Sequence, residues 1–477
     1  MPDHKALAGI TVAVVNLPHA ERLIRRYMCT YRSPYFYFPP HDLLQVASCI
    51  REWTGARVVF LDAIAENCDE AEVAAFLRQH QPAFMVALLG VESVATDAAC
   101  ADRLRQAVPG MRAIVFGYYA SRYAKEILEK SQLDAVLRGD PELSCCAYMN
   151  AAACGEMIRD MPGVACRVES GRTVINDLAY LDNLDVLPPP DYSLVALPRY
   201  NEMLLGGPFA AVQTSRGCPY RCTYCTSPME RRFIHRAPER VVDEMEALVR
   251  LGARVIRVLD DTFTCDKARV IAICRMLIAR NVIVHWSCLS RVDTLDAEML
   301  AWMKRAGCVR VVVGVESYAP VVLQALGKQI DPTLINDRLQ LVREAGIECV
   351  GFIMVGGPFE DDAAFERTRR GLLRGPFDLA IIDAVAIYGD TPLYKRYRHD
   401  IEFQLIPYIS RWRDAEIGKT ALKRERTLYR QFYFRPRIVW RQLRVVIRFP
   451  ARSIRLFLLL MGFIVSSRRP RDRQDLF

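Results

Sequence analysis

Thr214, Ser215, Arg216, Gly217, Cys218, Pro219, Tyr220, Arg221, Cys222, Thr223, Tyr224 and Cys225 run on from an apolar segment of strand length, Ala210–Thr214. Three and then two residues separate the cysteines, and Gly217 and Pro219 help the loop to turn. Cysteine thiolates are the usual ligands of iron–sulfur clusters, and a loop this tight can wrap one face of a cluster. Three ligands for the irons of a 4Fe-4S cluster leave one iron open to chelate an amine and a carboxylate. Zinc is the alternative, but a zinc site normally presents four ligands, often as paired CxxC units, and no fourth Cys or His lies close by. The remaining cysteines are scattered singly, apart from Cys145 and Cys146, and read as small core residues.

The segment opens a series of strands near Ala210–Thr214, Val255–Leu259, Val282–Trp286, Val309–Val313, Val350–Val355 and Ile381–Ala386, separated by helix-like stretches such as Pro238–Leu251. Such repeats fit a partial (β/α)6 barrel over 206–395, with its site at the C-terminal strand ends. Upstream, Thr11–Asn16, Arg57–Leu61, Phe84–Leu88, Ala113–Phe116 and Ala135–Leu137 alternate with helical stretches, Leu43–Trp53 among them after Pro39 and Pro40. This predicts an open, doubly wound (Rossmann-like) domain over 1–147. Gly163 and Gly171 mark a small hairpin and Pro188, Pro189 and Pro190 an irregular stretch, so 148–205 reads as a linker. After Pro392 the strand signal ends, and 396–477 reads as a basic helical extension with helices at Leu422–Phe434, Ile438–Phe449 and Ala451–Ser467. The fold class is α/β throughout, with that extension appended.

The composition, 52% hydrophobic and 25% charged, is that of a folded globular chain and excludes a disordered one. Sixteen cysteines would suit a disulfide framework in a small secreted protein. Here charged Asp3, His4 and Lys5 stand where a signal peptide would begin, so a reducing cytoplasm is expected. The net charge of +9 gathers toward the end, where Ile454–Val465 is almost wholly apolar and is flanked by Arg444, Arg448 and Arg452 on one side and Arg468, Arg469, Arg471 and Arg473 on the other. The run is shorter than the roughly 20 residues that span a bilayer, which leaves an interfacial helix in peripheral membrane contact or a helix packed on the barrel. No RNA-binding motif accompanies the arginines, so nucleic acid is not expected as a partner.

CxxxCxxC with an aromatic before the last cysteine resembles the radical S-adenosylmethionine superfamily. The likeness continues through Asp260 and Asp261 in "VLDDTFT", Glu316 in "GVES" and Gly351–Pro358 in "GFIMVGGP". It implies that Cys218, Cys222 and Cys225 hold a 4Fe-4S cluster and that S-adenosylmethionine is cleaved to a 5'-deoxyadenosyl radical. It further implies methionine-side contacts from Asp260, Asp261 and Glu316, adenine contacts from Tyr224, Val355 and Gly356, and a ribose or carboxylate contact from Arg291. Two plainer readings stand beside these: Glu316 as a helix cap, and Arg291 as a partner of Asp293 or Asp296.

A doubly wound domain ahead of the barrel is similar to the cobalamin-binding members of the superfamily, a resemblance that covers residues 1 to about 395 and implies cobalamin as a further cofactor. The histidine motif DxHxxG of the wider cobalamin-binding family is absent, since Ala63 and Ile64 follow Asp62. A Gly-Gly pair common there is Gly117 and Tyr118, and "GEGE" appears as Gly139, Asp140, Pro141 and Glu142. Asp62, Gly117 and Tyr118 are the cobalamin contacts the resemblance implies, and bulky Tyr118 and Tyr119 depart from its pattern. His41, in "FPPHDLL", is a structural histidine on this reading rather than a ligand. The expected activity is modification, most simply C-methylation, of an unactivated carbon of a small hydrophobic substrate, with an electron donor such as flavodoxin or ferredoxin. Oxidative cyclisation or rearrangement is the runner-up, ahead of a tRNA methylthiotransferase and of a non-catalytic membrane-associated adaptor.

Overall fold

The computed structural model describes residues 7–32, 37–156, 158, 160–168, 171–201, 206–227 and 232–440. The apolar arginine-flanked run, the helix expected at Ala451–Ser467 and most of that at Ile438–Phe449 lie outside the described residues. Two compact units are formed: Met1–Gly217 with Thr226–Arg257 and Leu405–Tyr408, and Cys218–Cys225 with Val258–Gln404 and Ile409–Phe477.

In the first unit the strands are β1 (Thr11–Asn16), β2 (Leu23–Arg26), β3 (Cys29–Arg32), β4 (Arg57–Asp62), β5 (Phe84–Leu88), β6 (Arg112–Phe116), β7 (Ala135–Leu137), β8 (Val164–Arg167) and β9 (Thr173–Ile175). Seven of them form a sheet in the order β4-β1-β5-β6-β7-β8-β9. From β4 to β7 the pairing is parallel, as in the doubly wound reading. Helices on both faces bury such strands completely, which is why β5 is apolar at every position. The helix His41–Thr54 starts after Pro40 and ends at Gly55, whose φ of 71° lets its N–H reach the Arg51 carbonyl. The hairpin read at Gly163 and Gly171 forms as β8 and β9 and extends this sheet antiparallel to β7.

Between β1 and the helix His41–Thr54 lies an antiparallel hairpin, β2–β3, that the sequence reading lacks. It folds over the loops after β5 and β6, where Val91 N–H donates to Thr30 Oγ1 at 2.6 Å and Tyr118 N–H to the Tyr27 carbonyl at 3.0 Å.

The later strands are β10 (Phe209–Val212), β11 (Ser215–Arg216), β12 (Ile234–His235), β13 (Val255–Val258), β14 (His285–Arg291), β15 (Cys308–Glu316), β16 (Glu348–Val355), β17 (Leu379–Ala384), β18 (Ile401–Gln404) and β19 (Ile409–Trp412). A six-stranded open sheet runs β10-β13-β14-β15-β16-β17, so the strands keep their sequence order as a partial barrel requires. From β14 to β17 the pairing is parallel. The strand expected at Val282–Trp286 begins later, at His285, because Asn281 takes a left-handed φ of 53° and ends the preceding helix. The helix expected at Leu422–Phe434 is longer, Ala415–Tyr433, with Asp414 capping its start. Ahead of it, β18 and β19 form a small antiparallel hairpin inside the region read as helical.

That helix covers the free edge of β17. Ala380 N–H donates to Tyr433 Oη at 3.2 Å, the same hydroxyl donates to the Ala380 carbonyl at 2.8 Å, and Ile382 N–H donates to Tyr429 Oη at 3.1 Å. Two phenols thus take the place of a neighbouring strand.

Candidate active site

The cysteines of the 218–225 loop are each partly exposed, whereas Cys49, Cys145, Cys146, Cys274, Cys288, Cys308 and Cys349 are buried. That contrast sets the loop cysteines apart from the core thiols, and their shared loop sets them apart from the partly exposed Cys68 and Cys265. Burial, the largest influence, raises the Cys218 thiol above its ordinary range, opposed by the Thr262 hydroxyl 3.5 Å away and the Tyr220 backbone. Arg291, the last residue of β14, points Nη1 at Cys222 Sγ across 3.5 Å, and its guanidinium carbon lies 3.6 Å from the centre of the Tyr220 ring. Its remaining donors hold Asp293 at 3.0 Å each. Arg291 therefore makes the plain ion pair foreseen with Asp293 and also faces the cysteine loop. Asp296 instead caps the next helix.

A donor directed at a ligating sulfur favours its thiolate form, so these surroundings fit a cluster. Among the described residues no three His, Cys, Asp or Glu side chains gather closely enough to hold a metal ion. Thiolates of a cubane each serve a different iron and need no such gathering. Cys265, also partly exposed, is pushed up to about 12, by burial first and then by the neighbouring Cys218.

Tyr224 donates to Glu316 Oε1 at 2.9 Å, and the Lys328 ammonium donates to the same oxygen at 2.7 Å. Burial, then the negative charge of Glu316, lifts the Tyr224 phenol well above its ordinary range, so it remains a donor. Glu316 ends β15 with φ of 67°, where the register against β16 shifts. A non-glycine residue there is backbone strain of the kind that gathers at functional sites. Glu316 does not cap the next helix, which starts at Pro320 after Ala319. Asp260 is buried and Asp261 partly exposed just past the end of β13. Tyr224 packs against the buried cluster of Ala319, Val322, Leu326 and Ala364, as do Met354 of β16 and Phe359. Val355 itself is buried, and Gly356 donates its N–H to Glu360 Oε2 at 2.7 Å. A Cβ at Gly356 would meet the Ala421 methyl at 2.3 Å, so its glycine is explained by helix packing.

The residues assigned to cobalamin are engaged within the first unit. Asp62 accepts from Asn16 at 2.7 Å, Tyr200 at 2.7 Å and Ala65 N–H at 3.1 Å, and burial raises its carboxyl despite these donors. Gly117 has φ of 139°, and a Cβ there would lie 2.4 Å from the Leu89 carbonyl, so the glycine serves the approach of two loops of the chain. Tyr118 is buried, and its backbone N–H donates to the Tyr27 carbonyl in the turn between β2 and β3. Asp62, Gly117 and Tyr118 are thus accounted for by contacts within the chain and do not by themselves mark a cobalamin site. His41 is buried with Nδ1 unpartnered among the described residues.

Sequence reasoning missed Lys328, whose partner lies twelve positions away, and the fork made by Arg216. That guanidinium meets Asp140 at 2.9 Å and Glu142 at 3.1 and 2.5 Å, all three side chains being buried. The acidic residues that take the place of "GEGE" thus anchor the residue two positions before Cys218. The resemblance had drawn attention to Asp140 and Glu142 without indicating this partner.

Residues 212–372 match the Radical SAM superfamily and form a radical SAM domain. Among curated relatives, an uncharacterized methyltransferase of Pyrococcus horikoshii is 27% identical over 89% of this chain and 92% of its own length. The anaerobic magnesium-protoporphyrin IX monomethyl ester cyclase of Cereibacter sphaeroides is 25% identical over 76% of this chain, which spans 61% of the cyclase. The radical S-adenosylmethionine methyltransferase TsrM of Kitasatospora setae, solved with cobalamin and a 4Fe-4S cluster, superposes with a TM-score of 0.65 at 18% identity, over 81% of this chain and 74% of that one. That last likeness is one of fold.

Proposed function

We propose that the protein is a radical S-adenosylmethionine enzyme that modifies, most simply by C-methylation, an unactivated carbon of a small hydrophobic metabolite. The observation that carries the reading is the cysteine loop itself, with its partly exposed cysteines, Arg291 directed at Cys222 and Tyr224 bonded to Glu316. Cys218, Cys222 and Cys225 would hold the cluster, which when bound supplies the electron for reductive cleavage and an open iron for S-adenosylmethionine. Glu316 offers a carboxylate to the methionine amine, joined by Asp260 and Asp261 at the end of β13. Tyr224 and the strand end at Val355 and Gly356 offer the adenine its surroundings. Arg291 steadies the loop by stacking on Tyr220 and pairing with Asp293.

Cobalamin belongs to the proposal as the methyl carrier, supported by the doubly wound sheet and by the likeness to TsrM. Flavodoxin or ferredoxin is the proposed class of electron donor, and peripheral membrane contact through the tail is proposed on the apolar run between arginines. The cyclase relative supports a second reading, oxidative cyclisation without methyl transfer.

The test is anaerobic purification with iron and cobalt determination, followed by turnover with methyl-labelled S-adenosylmethionine and an extract containing the substrate. Wild-type protein should carry cluster iron, form 5'-deoxyadenosine and place label in a product only when cobalt is present. Alanine at Cys218, Cys222 or Cys225 should abolish both iron and 5'-deoxyadenosine. Product without label would move the assignment to cyclisation, and cleavage surviving the triple alanine variant would end the radical reading.

A further inference from the structure

The turn after the helix Pro320–Ala325 is built against the loop that carries the cysteines. Thr223 donates its N–H to the Leu326 carbonyl at 2.9 Å and its hydroxyl to the Ala325 carbonyl at 2.9 Å. Gly327, at φ of 65°, allows this approach, since a Cβ there would lie 3.0 Å from Thr223 Cγ2 and 3.2 Å from the Arg221 carbonyl. One residue further, Lys328 is 4% exposed and bonds Glu316 Oε1, the oxygen that also accepts from Tyr224. Two successive residues of the cysteine loop are therefore gripped by the 325–328 turn, Thr223 directly and Tyr224 through Glu316. Gly314 makes room for the ion pair, because a Cβ there would stand 2.7 Å from Glu316 Oε1 and 2.8 Å from Lys328 Nζ. The carboxylate thus folds back over a bare stretch of its own strand.

We infer that Lys328 is a positioning residue that fixes the Glu316 carboxylate against Tyr224, and so couples occupancy of the S-adenosylmethionine site to the geometry of the cluster loop. The inference rests on the proposed reading of Glu316 as a contact to the methionine amine and adds the residue that holds it. A buried carboxylate with a strained backbone and a neutral phenol partner has several ways to turn. An ammonium 2.7 Å away, itself confined by Gly314 and the turn, selects one of them. Lysine suits the task as a compact charge on a flexible stem.

The test compares wild type with Lys328→Met, Tyr224→Phe and the double variant, reading iron content, the electron paramagnetic resonance spectrum of the reduced cluster with and without S-adenosylmethionine, and KM for that compound in 5'-deoxyadenosine formation. Lys328→Met should keep its iron and its spectrum without S-adenosylmethionine. Its KM should rise about tenfold or more, and the spectral response to S-adenosylmethionine should weaken. Tyr224→Phe should move in the same direction, and the double variant should be no worse than Lys328→Met, since the two act through one carboxylate. Wild-type KM and spectral response in Lys328→Met would overturn the inference, as would strict additivity. Should Lys328→Met lose its iron, Tyr224→Phe decides, and an unchanged KM there overturns it. Wild-type protein that binds no iron or leaves S-adenosylmethionine intact would instead refute the proposed function, visibly and before any variant is made.

Discussion

Burial of an ionisable side chain makes its protonation part of the folding equilibrium. His41 is pushed down to about 3 by burial, with Asp42 opposing and Arg26, Arg236 and Arg216 adding to the effect. The unfolded chain takes up this proton near the ordinary histidine value of about 6.5, while the folded chain does not until far lower pH. Stability is therefore unaffected above that value and falls as pH drops below it, by about 2 kcal/mol between pH 7 and pH 5 from this residue alone. Urea midpoints across that range should show the fall, and His41→Gln should flatten it; equal slopes in both proteins would remove His41 as the cause. In sequence, His41 was expected to be structural because it sits beside a proline-marked helix start, and the fold buries it there. Lys328 was not foreseen, because a lysine reads as surface until the fold brings a buried carboxylate to it.

Elements announced by apolar runs were readable nearly to the residue, as β5 and β7 are and as β1 is between its polar ends Thr11 and Asn16, since a strand buried on both faces has few polar positions to confuse it. The β2–β3 hairpin was not readable, because Leu23–Arg26 carries two arginines whose charges are matched only in the fold, Arg25 by Asp97 at 2.8 Å and Arg26 by Asp42 at 2.7 Å. The β18–β19 hairpin was lost for another reason: two four-residue strands are too short for alternation to declare itself. The phenols over β17 give the element scale its prediction. Tyr433→Phe leaves both N–H and carbonyl of Ala380 without that partner, and Tyr429→Phe does the same to the Ile382 N–H. Each should cost about 1–3 kcal/mol, the Tyr433 variant more, read as a lowered urea midpoint at unchanged slope. Wild-type midpoints in both would mean that water replaces the phenols at no cost.

For the whole molecule, the alternation of strands and helices that builds both sheets was legible, whereas the order β4-β1-β5 in the first sheet was not read from the sequence. The chemistry was legible as far as one loop reaches, and the partners that brace that loop come from distant segments. Among the described residues no helix is long and apolar enough to cross a membrane. The proposed tail contact calls instead for reversible, salt-sensitive binding, each arginine near an anionic surface contributing about 1 kcal/mol. Full-length protein should co-sediment with anionic vesicles at low salt, less at high salt and little with neutral lipid, whereas a chain ending at Arg437 should stay in solution. Equal binding by both chains would withdraw the tail from the proposal.

The tyrosine cover of β17 also has a consequence in time. Ala380 and Tyr433 stand 53 residues apart, so a ribosome delivers the strand well before the side chain that closes its edge. At about 5–20 residues per second the interval is roughly 3–10 s, long compared with the formation of local structure. Throughout it the nascent sheet offers a row of backbone donors and acceptors to any other chain within reach. The pace of synthesis and the crowding of nascent chains, rather than the stability of the finished fold, then govern how much of the protein escapes association at that edge.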